Sequence, residues 1–200
     1  MRTTISTDEA LAIVGKYNKE SFHIRHAITV SQVMRYLANE LGYGDEAEYW
    51  ATCGMLHDVD FEQYPDCHLD NTPAILKSEG ISDDVIHTVM SHGYSICSDV
   101  EPEHEMEKVL FATDELTGLV YAAAKMRPSK SCTDMELSSL KKKYKDKKFA
   151  AGCSRDVIAK GAAMLGWDLD KLLQTTLDAM KATEANVNDS VERYFALKTY

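Results

Sequence analysis

Apolar residues recur along the chain with the three- and four-residue spacing of amphipathic helices, whereas the alternation typical of strands is hard to find. Gly and Pro are sparse, with 10 and 4 copies. Ser, Thr and Asp residues that suit helix N-caps precede several of the periodic segments. The spacing predicts helices over about 7–19, 24–41, 45–58, 72–79, 82–93, 103–126, 154–165 and from 168 onward. The fold class we expect is therefore all-α.

The polar stretches between these helices indicate loops but no firm domain boundary. Residues 60–70 and 94–102 are predicted loops, and residues 131–148 are strongly charged. A chain of 200 residues suits one hydrophobic core. We expect a single helical domain over residues 1–200, with its core over about 21–127 and a C-terminal helical elaboration over about 128–200.

Charge and cysteine usage narrow the classes of function. The chain has 22 Lys and Arg against 32 Asp and Glu, a net charge of -10 that disfavours nucleic-acid polymers and anionic membranes as partners. No apolar run approaches the roughly 20 residues of a membrane span, and the first residues lack a signal-peptide pattern. Five cysteines without a CxxC pair argue against a disulfide framework. We therefore expect a cytoplasmic protein.

Several histidines fall on the apolar faces of predicted helices. His26 shares a face with Val30 and Leu37, and His57 aligns with apolar positions of the third helix. His92 aligns with the apolar residues of its own helix, whereas His87 lies on the opposite side. Each inward histidine alone is equally compatible with a hydrogen-bonded core residue.

Two carboxylates, those of Asp58 and Asp114, lie on inward faces as well. An isolated buried carboxylate is costly because it loses its hydration, so a partner or a cation is expected beside each of them. Imidazoles and carboxylates converging between helices suit a divalent metal ion. The alternative is a chance His-Asp pair in an ordinary core.

The order of these residues resembles the H…HD…D signature of the HD-domain metal-dependent phosphohydrolases. The signature residues are His26, the pair His57-Asp58 and Asp114, and the resemblance covers about residues 21–127. The segments 56–62 and 114–119 look especially like small, mostly uncharacterised HD hydrolases of bacteria. The resemblance implies an HD-type helical bundle with a metal site between its helices.

The resemblance also implies a ligand set. His26, His57, Asp58 and Asp114 would bind one divalent ion, and Asp58 could bridge to a second. His68 and His92 stand where two-metal members of the family place further histidines, so one or two ions of Fe, Mn, Zn, Co, Ni or Mg are expected. His104 matches more loosely, and His23 and His87 less still.

The chemistry implied by the resemblance is hydrolysis of a small phosphorylated metabolite, such as a nucleotide, by metal-activated water. Asp58 would hold the ions and orient the attacking oxygen, and Asp60 and Glu62 are candidates for the base or proton donor. Each of the latter two is equally compatible with a solvated loop carboxylate. Arg25 is a candidate for binding the substrate phosphate. The basic run 141–148 is a candidate for drawing in anions or forming a lid, against a merely solvated helix face.

The substrate, the type of function and the oligomeric state stay open. The GYP motif of the cyclic-dinucleotide branch and the paired acidic residues of the alarmone hydrolases are missing, so the sequence does not name a substrate. Some HD-fold proteins are mixed-valent di-iron oxygenases, and others are non-catalytic regulatory modules that bind a nucleotide or metal. The apolar face of the C-terminal helix is compatible with a homo-oligomer as well as with packing on its own core.

Overall fold

The computed structural model describes residues 5–198, and the predicted all-α fold is confirmed, since these residues form nine α-helices and no strand. The helices are α1 (Thr7–Tyr17), α2 (Ser21–Glu40), α3 (Ala47–Leu56), α4 (Thr72–Ser78), α5 (Asp83–Ser91), α6 (Glu105–Lys125), α7 (Leu137–Lys145), α8 (Arg155–Met164) and α9 (Leu169–Ala196). No helix of this part of the chain is long and apolar enough to cross a membrane. All five cysteines are free.

Side chains bind the backbone at the starts of the first two helices. Ser6 caps α1, because its hydroxyl accepts the N–H of Glu9 at 3.3 Å while the Glu9 carboxylate accepts the N–H of Ser6 at 2.7 Å. Helix α2 begins at Ser21, earlier than its apolar periodicity predicts. The carboxylate of Glu62 accepts the backbone N–H groups of Lys19 and Glu20, the two residues before this helix, each at 2.9 Å. A residue about 40 positions away in sequence thus fixes this helix start.

Helix α2 lies at the centre of the bundle and packs against α3, α6 and α9. Its apolar face is buried, with Ile24 and Leu37 fully inaccessible to solvent. Gly54 allows α3 to approach closely, since a Cβ at this position would lie 2.9 Å from Met34 Cγ and 3.1 Å from the carbonyl oxygen of Val30. The close approach brings the end of α3 against the first half of α2.

The C-terminal helices share the core of the N-terminal ones. Leu140, Ile158 and Leu177 belong to the same buried cluster as the residues of α2 and α3. Helix α8 packs on α6, and α9 packs on both α2 and α6. As a result, α8 forms a wall beside the middle of α6.

The segment before α8 is held by a single arginine. The guanidinium of Arg155 donates to six backbone carbonyl groups, of which those of Ala150 and Cys153 lie 2.7 and 2.6 Å away. The other four carbonyls belong to Lys143, Tyr144, Asp146 and Phe149. These bonds join the last turn of α7 to the start of α8 and fix the loop between them.

We predict that Gly161→Ala destabilises the bundle by about 1–3 kcal/mol, because overpacking outweighs the better helix propensity of alanine. A Cβ at residue 161 would lie 2.4 Å from Ala112 Cα, which is backbone and cannot move aside. Urea unfolding measures the difference. Gly152→Ala is the control, since its Cβ would meet nothing within 4 Å. Equal unfolding midpoints for the two variants would contradict this account of the α6–α8 contact.

Candidate metal centre

Three helices deliver the residues of the predicted signature to one point. His26 lies in the second turn of α2, His57 and Asp58 follow directly on α3, and Asp114 lies in the middle of α6. Because α2 packs against both α3 and α6, these side chains meet between the helices. The convergence that the helical faces predict is thus present.

The first group of candidate ligands, which we call triad 1, consists of His26, His57 and Asp114. His26 Nε2 lies 2.9 Å from Asp114 Oδ1 and 3.2 Å from His57 Nε2. His57 Nε2 lies 3.3 Å from the same Asp114 oxygen. Three donor atoms therefore surround one point.

The second group, triad 2, consists of Asp58, His68 and His92. His68 lies in the segment after α3, and His92 caps the C-terminus of α5. Their Nε2 atoms lie 3.2 Å apart, and Asp58 Oδ1 is 3.3 Å from His68 Nε2 and 3.6 Å from His92 Nε2. The structure thus places both additional histidines beside Asp58.

Asp58 connects the two triads. Its Oδ1 faces triad 2, and its Oδ2 lies 3.2 Å from His57 Nε2 and 3.5 Å from His26 Nε2 in triad 1. One carboxylate therefore offers one oxygen to each group, which is the arrangement of a bridging ligand.

The orientation of the rings tests whether these donors suit a cation. His92 Nδ1 donates to the carbonyl oxygen of Val89 at 2.5 Å, and His68 Nδ1 donates to Asp60 Oδ1 at 2.7 Å. A neutral imidazole with its proton on Nδ1 presents a lone pair at Nε2. The two lone pairs of His68 and His92 then face each other across 3.2 Å, a repulsive contact unless a cation or a proton lies between them.

His57 is oriented in the same way, since its Nδ1 donates to the carbonyl oxygen of Gly54 at 2.8 Å. Its Nε2 consequently points at the centre of triad 1. Imidazole nitrogens together with carboxylate oxygens are ligands that Fe, Mn, Co, Ni and Zn accept. The residues present therefore fit a divalent metal in each triad.

The carboxylates and the buried imidazole of the centre shift each other's pKa values. Burial lowers the pKa of His57, but the carboxylates of Asp58 and Asp114 outweigh burial and hold that pKa well above its ordinary value. Burial also raises the pKa of each carboxyl group, yet the neighbouring imidazoles outweigh it and hold both pKa values well below the usual range. The carboxylates thus require positive charge beside them, which protons on the imidazoles or bound cations supply.

Asp60 lies behind His68. Its side chain is fully buried, and its two oxygens accept the Nδ1–H of His68 at 2.7 Å and the N–H of Leu69 at 2.9 Å. Both oxygens are therefore engaged in holding the His68 segment. This placement favours a positioning role for Asp60, and the role of base or proton donor stays a prediction.

Glu62 lies at the start of α2. Its carboxylate accepts the backbone N–H groups of Lys19 and Glu20 and is not among the groups that line the cavity at the triads. This placement favours a structural role, and the role of base or proton donor stays a prediction.

Arg25 does not lie where a substrate phosphate at the triads would need it. Its Nη1 donates to Asn188 Oδ1 of α9 at 2.8 Å, and its guanidinium lies 5.8 Å from the ring centre of Tyr121. It lines a separate cavity of about 180 Å³ and also borders a small pocket beside His26, Phe22 and Gly118. The physical reason is helical geometry, since neighbouring residues such as Arg25 and His26 point about 100° apart.

The remaining histidines and the basic run lie outside the two triads. His104 caps α6 through Nδ1, which accepts the N–H of Met106 at 3.2 Å, and His87 pairs with Glu107 at 2.9 Å. His23 borders the cavity without joining either triad. Within the run 141–148, Lys141 pairs with Asp170 at 2.5 Å, and no lysine of this run lines the cavity.

The triads open into a cavity of about 380 Å³. Its walls include several residues that the sequence patterns did not indicate, namely Phe22, Phe61, Ile96, Cys97, Glu115, Cys153 and Val157. Burial, together with the negative charge of the neighbouring Asp114, raises the pKa of Glu115 to about 7. Among these residues, Glu115 had a signal in the sequence, since it directly follows the predicted ligand Asp114. Cys153 and Val157 had none, because they reach the cavity only through the tertiary packing of α8 on α6.

Comparison with known families bears out the resemblance. Residues 24–119 match the family model of the HD domain, a span that contains all six residues of the triads. No curated protein and no solved structure matches the chain. The family match and the geometry therefore agree on a helical domain with two groups of residues that could hold a metal ion.

We predict that the purified protein binds two divalent ions per chain and that single substitutions separate them. His92→Ala removes one ligand of triad 2 and is expected to leave one ion, whereas Asp58→Ala weakens both triads and is expected to retain less than one. Elemental analysis after dialysis measures the content. His87→Ala is the control, since this half-exposed histidine pairs with Glu107 outside the triads. Equal metal content in the wild type and in Asp58→Ala would contradict the bridging role.

We also predict that Asp60→Asn weakens the binding of the ion in triad 2 by about 10- to 100-fold, the usual cost of losing a partner behind a ligand. Asp60 accepts from His68 Nδ1 through one oxygen and from the N–H of Leu69 through the other. In asparagine an NH₂ group replaces one of these oxygens, so one of the two donors would face another donor. Calorimetric metal titration measures the loss. Asp66→Asn, an exposed acid in the same segment, is the control. Unchanged affinity in Asp60→Asn would refute the positioning role.

Proposed function

We propose that this chain, a member of the HD-domain family whose HD domain spans residues 24–119, is a metal-dependent phosphohydrolase. Its substrate would be a small phosphorylated metabolite, and its nucleophile a water molecule activated by metal. The observation that carries the proposal is the pair of triads that share Asp58. No serine or cysteine nucleophile is needed for such chemistry.

Two divalent cations in these triads would supply an activated water near neutral pH and positive charge for the phosphoryl oxygens. The protein's own residues set the conditions for this. His26, His57 and Asp114 hold one position, and His68 and His92 hold the other. Asp58 ties the two positions together through its separate oxygens.

Hydrogen bonds to groups behind the ligands orient the imidazole rings. The carbonyl groups of Gly54 and Val89 and the carboxylate of Asp60 fix the three imidazole rings and leave each Nε2 free to coordinate. His57 is fully buried, so water reaches the centre only from the cavity side. A reacting group that enters there meets the ligands on one side and largely apolar walls on the others.

Two other functions would use the same ligands. A di-iron oxygenase would need dioxygen and would not release phosphate by hydrolysis. A regulatory module would bind a ligand without turnover, but the complete set of six candidate ligands favours catalysis over that function. The test of the proposal must therefore record phosphate release, oxygen uptake and binding.

We predict that protein stripped by a chelator and reloaded with Mn, Co, Ni, Zn, Fe or Mg releases phosphate from at least one member of a panel of nucleotides and phosphomonoesters. Activity should persist without oxygen and fall at least about 100-fold in Asp114→Ala, which removes a ligand of triad 1. Asp66→Ala, an exposed carboxylate outside the triads, should retain activity. Turnover that requires oxygen, or equal release by stripped protein, would contradict the proposal.

A further inference from the structure

The cavity at the triads carries no cation of its own to receive a second phosphate. Among the described residues that line it, none is a lysine or an arginine. Besides the metal ligands, the ionisable groups on its walls are His23, Glu115 and two cysteines. A negative group placed beyond reach of the two triads would therefore lie against apolar side chains and a carboxyl group, without compensation for its lost hydration.

Two cations lie nearby, and both are already engaged. Arg25 borders a small pocket beside His26, and its Nη1 donates to Asn188 Oδ1 at 2.8 Å. Lys160, one helical turn after Val157 on α8, donates to the hydroxyl of Ser95 at 2.5 Å, and its ammonium lies 4.4 Å from the ring centre of Tyr94. These contacts hold the loop after α5 in place. Drawing Lys160 to a substrate would break both contacts.

The walls and the rim of the cavity are apolar instead. Phe61 packs edge-on against His68, with ring centres 5.1 Å apart, and the ring of Phe22 lies parallel to that of His26 at 6.4 Å. Phe22 and Ile96 are 56% and 60% exposed, and both border the cavity. Large apolar side chains that stay exposed around a concave site indicate a ligand with an apolar part.

From these observations, and resting on the proposed function, we propose that the substrate is a phosphomonoester. It carries a single phosphoryl group, which the two triads receive, on an uncharged moiety that contains an apolar ring. Diphosphates and triphosphates, and esters with a second anionic group, are excluded by the walls. The volume of about 380 Å³ accommodates a phosphoryl group and a small ring system.

Three phosphonates test this selectivity as a binding preference, independent of turnover, because hydrolysis does not cleave their C–P bond. Benzylphosphonate carries an apolar ring, methylphosphonate carries only a methyl group, and 2-carboxyethylphosphonate carries an additional carboxylate. Calorimetry with the metal-loaded protein under nitrogen should give benzylphosphonate a Kd at least about tenfold below that of methylphosphonate, since its ring leaves water. The carboxyethyl compound should bind no more tightly than methylphosphonate.

Variants locate the preference on the cavity rim. Phe22→Ala should raise the Kd of benzylphosphonate several-fold more than that of methylphosphonate, because its ring borders the apolar part of the ligand but also lies parallel to the ring of His26. Ile96→Ala should change the two Kd values in the same order. Met126→Ala is the matched control, a large apolar side chain that is 68% exposed and lies outside the cavity.

A parallel assay of phosphate release from benzyl phosphate and glycerol 3-phosphate, which both release a primary alcohol, distinguishes the two possible failures. Hydrolysis of both esters without the binding preference would overturn the inference on substrate class and leave the proposed function intact. Tighter binding of the carboxyethyl compound than of the benzyl compound would overturn the inference as well. No phosphate release from any phosphomonoester by metal-loaded protein would overturn both proposals.

Discussion

The two oxygens of the Asp58 carboxylate, one turned to each triad, are the contact on which the rest of the site depends. Three carboxylates and four imidazoles are gathered in and around this centre, and they are mostly shielded from water. Such a concentration of ionisable groups is costly to desolvate unless each charge has a partner. A pair of cations that share Asp58 would give the six triad residues a partner at once, while Asp60 already accepts from His68 and Leu69.

The C-cap histidines of α3 and α5 both end their helices and offer a ligand nitrogen to the site. His57 and His92 each stand at the C-cap of a helix, and each ring donates from Nδ1 to the carbonyl oxygen three residues earlier. The last carbonyl groups of a helix lack partners within the helix. The same bond that satisfies such a carbonyl also turns Nε2 toward the metal position, so the helix stop and the ligand orientation arise from one interaction.

Much of this site follows from the sequence because helical periodicity fixes which residues share a face. His26, His57, Asp58, Asp114 and His92 were predicted to point inward in this way, and the structure brings them together. His68 lies in a loop, where no periodicity applies, and only the resemblance indicated it. The fold class and eight of the nine helices of the described residues were predicted for the same reason, but α7 was not, because its charged residues show little apolar periodicity. Helix ends were predicted less well, as the contact of the distant Glu62 with the residues before α2 illustrates.

The parts that the sequence did not reveal depend on tertiary partners. Periodicity gives the direction of a side chain but not the helix that meets it, so the contact of Arg25 with Asn188 of α9 was not predicted. The cavity wall formed by Cys153 and Val157 depends on the close approach of α8 to α6 at Gly161. No local sequence pattern predicts that contact. The apolar character of the cavity therefore became visible only with the fold.

The central claim is that two cations share Asp58, and anomalous diffraction from crystals loaded with manganese tests it most directly. We expect two peaks about 3.5–4 Å apart, the usual separation in two-metal sites. One peak should lie within coordination distance of His26, His57 and Asp114, the other of His68 and His92, with Asp58 between them. A single peak that Asp58 does not touch, or two peaks away from these residues, would contradict the account.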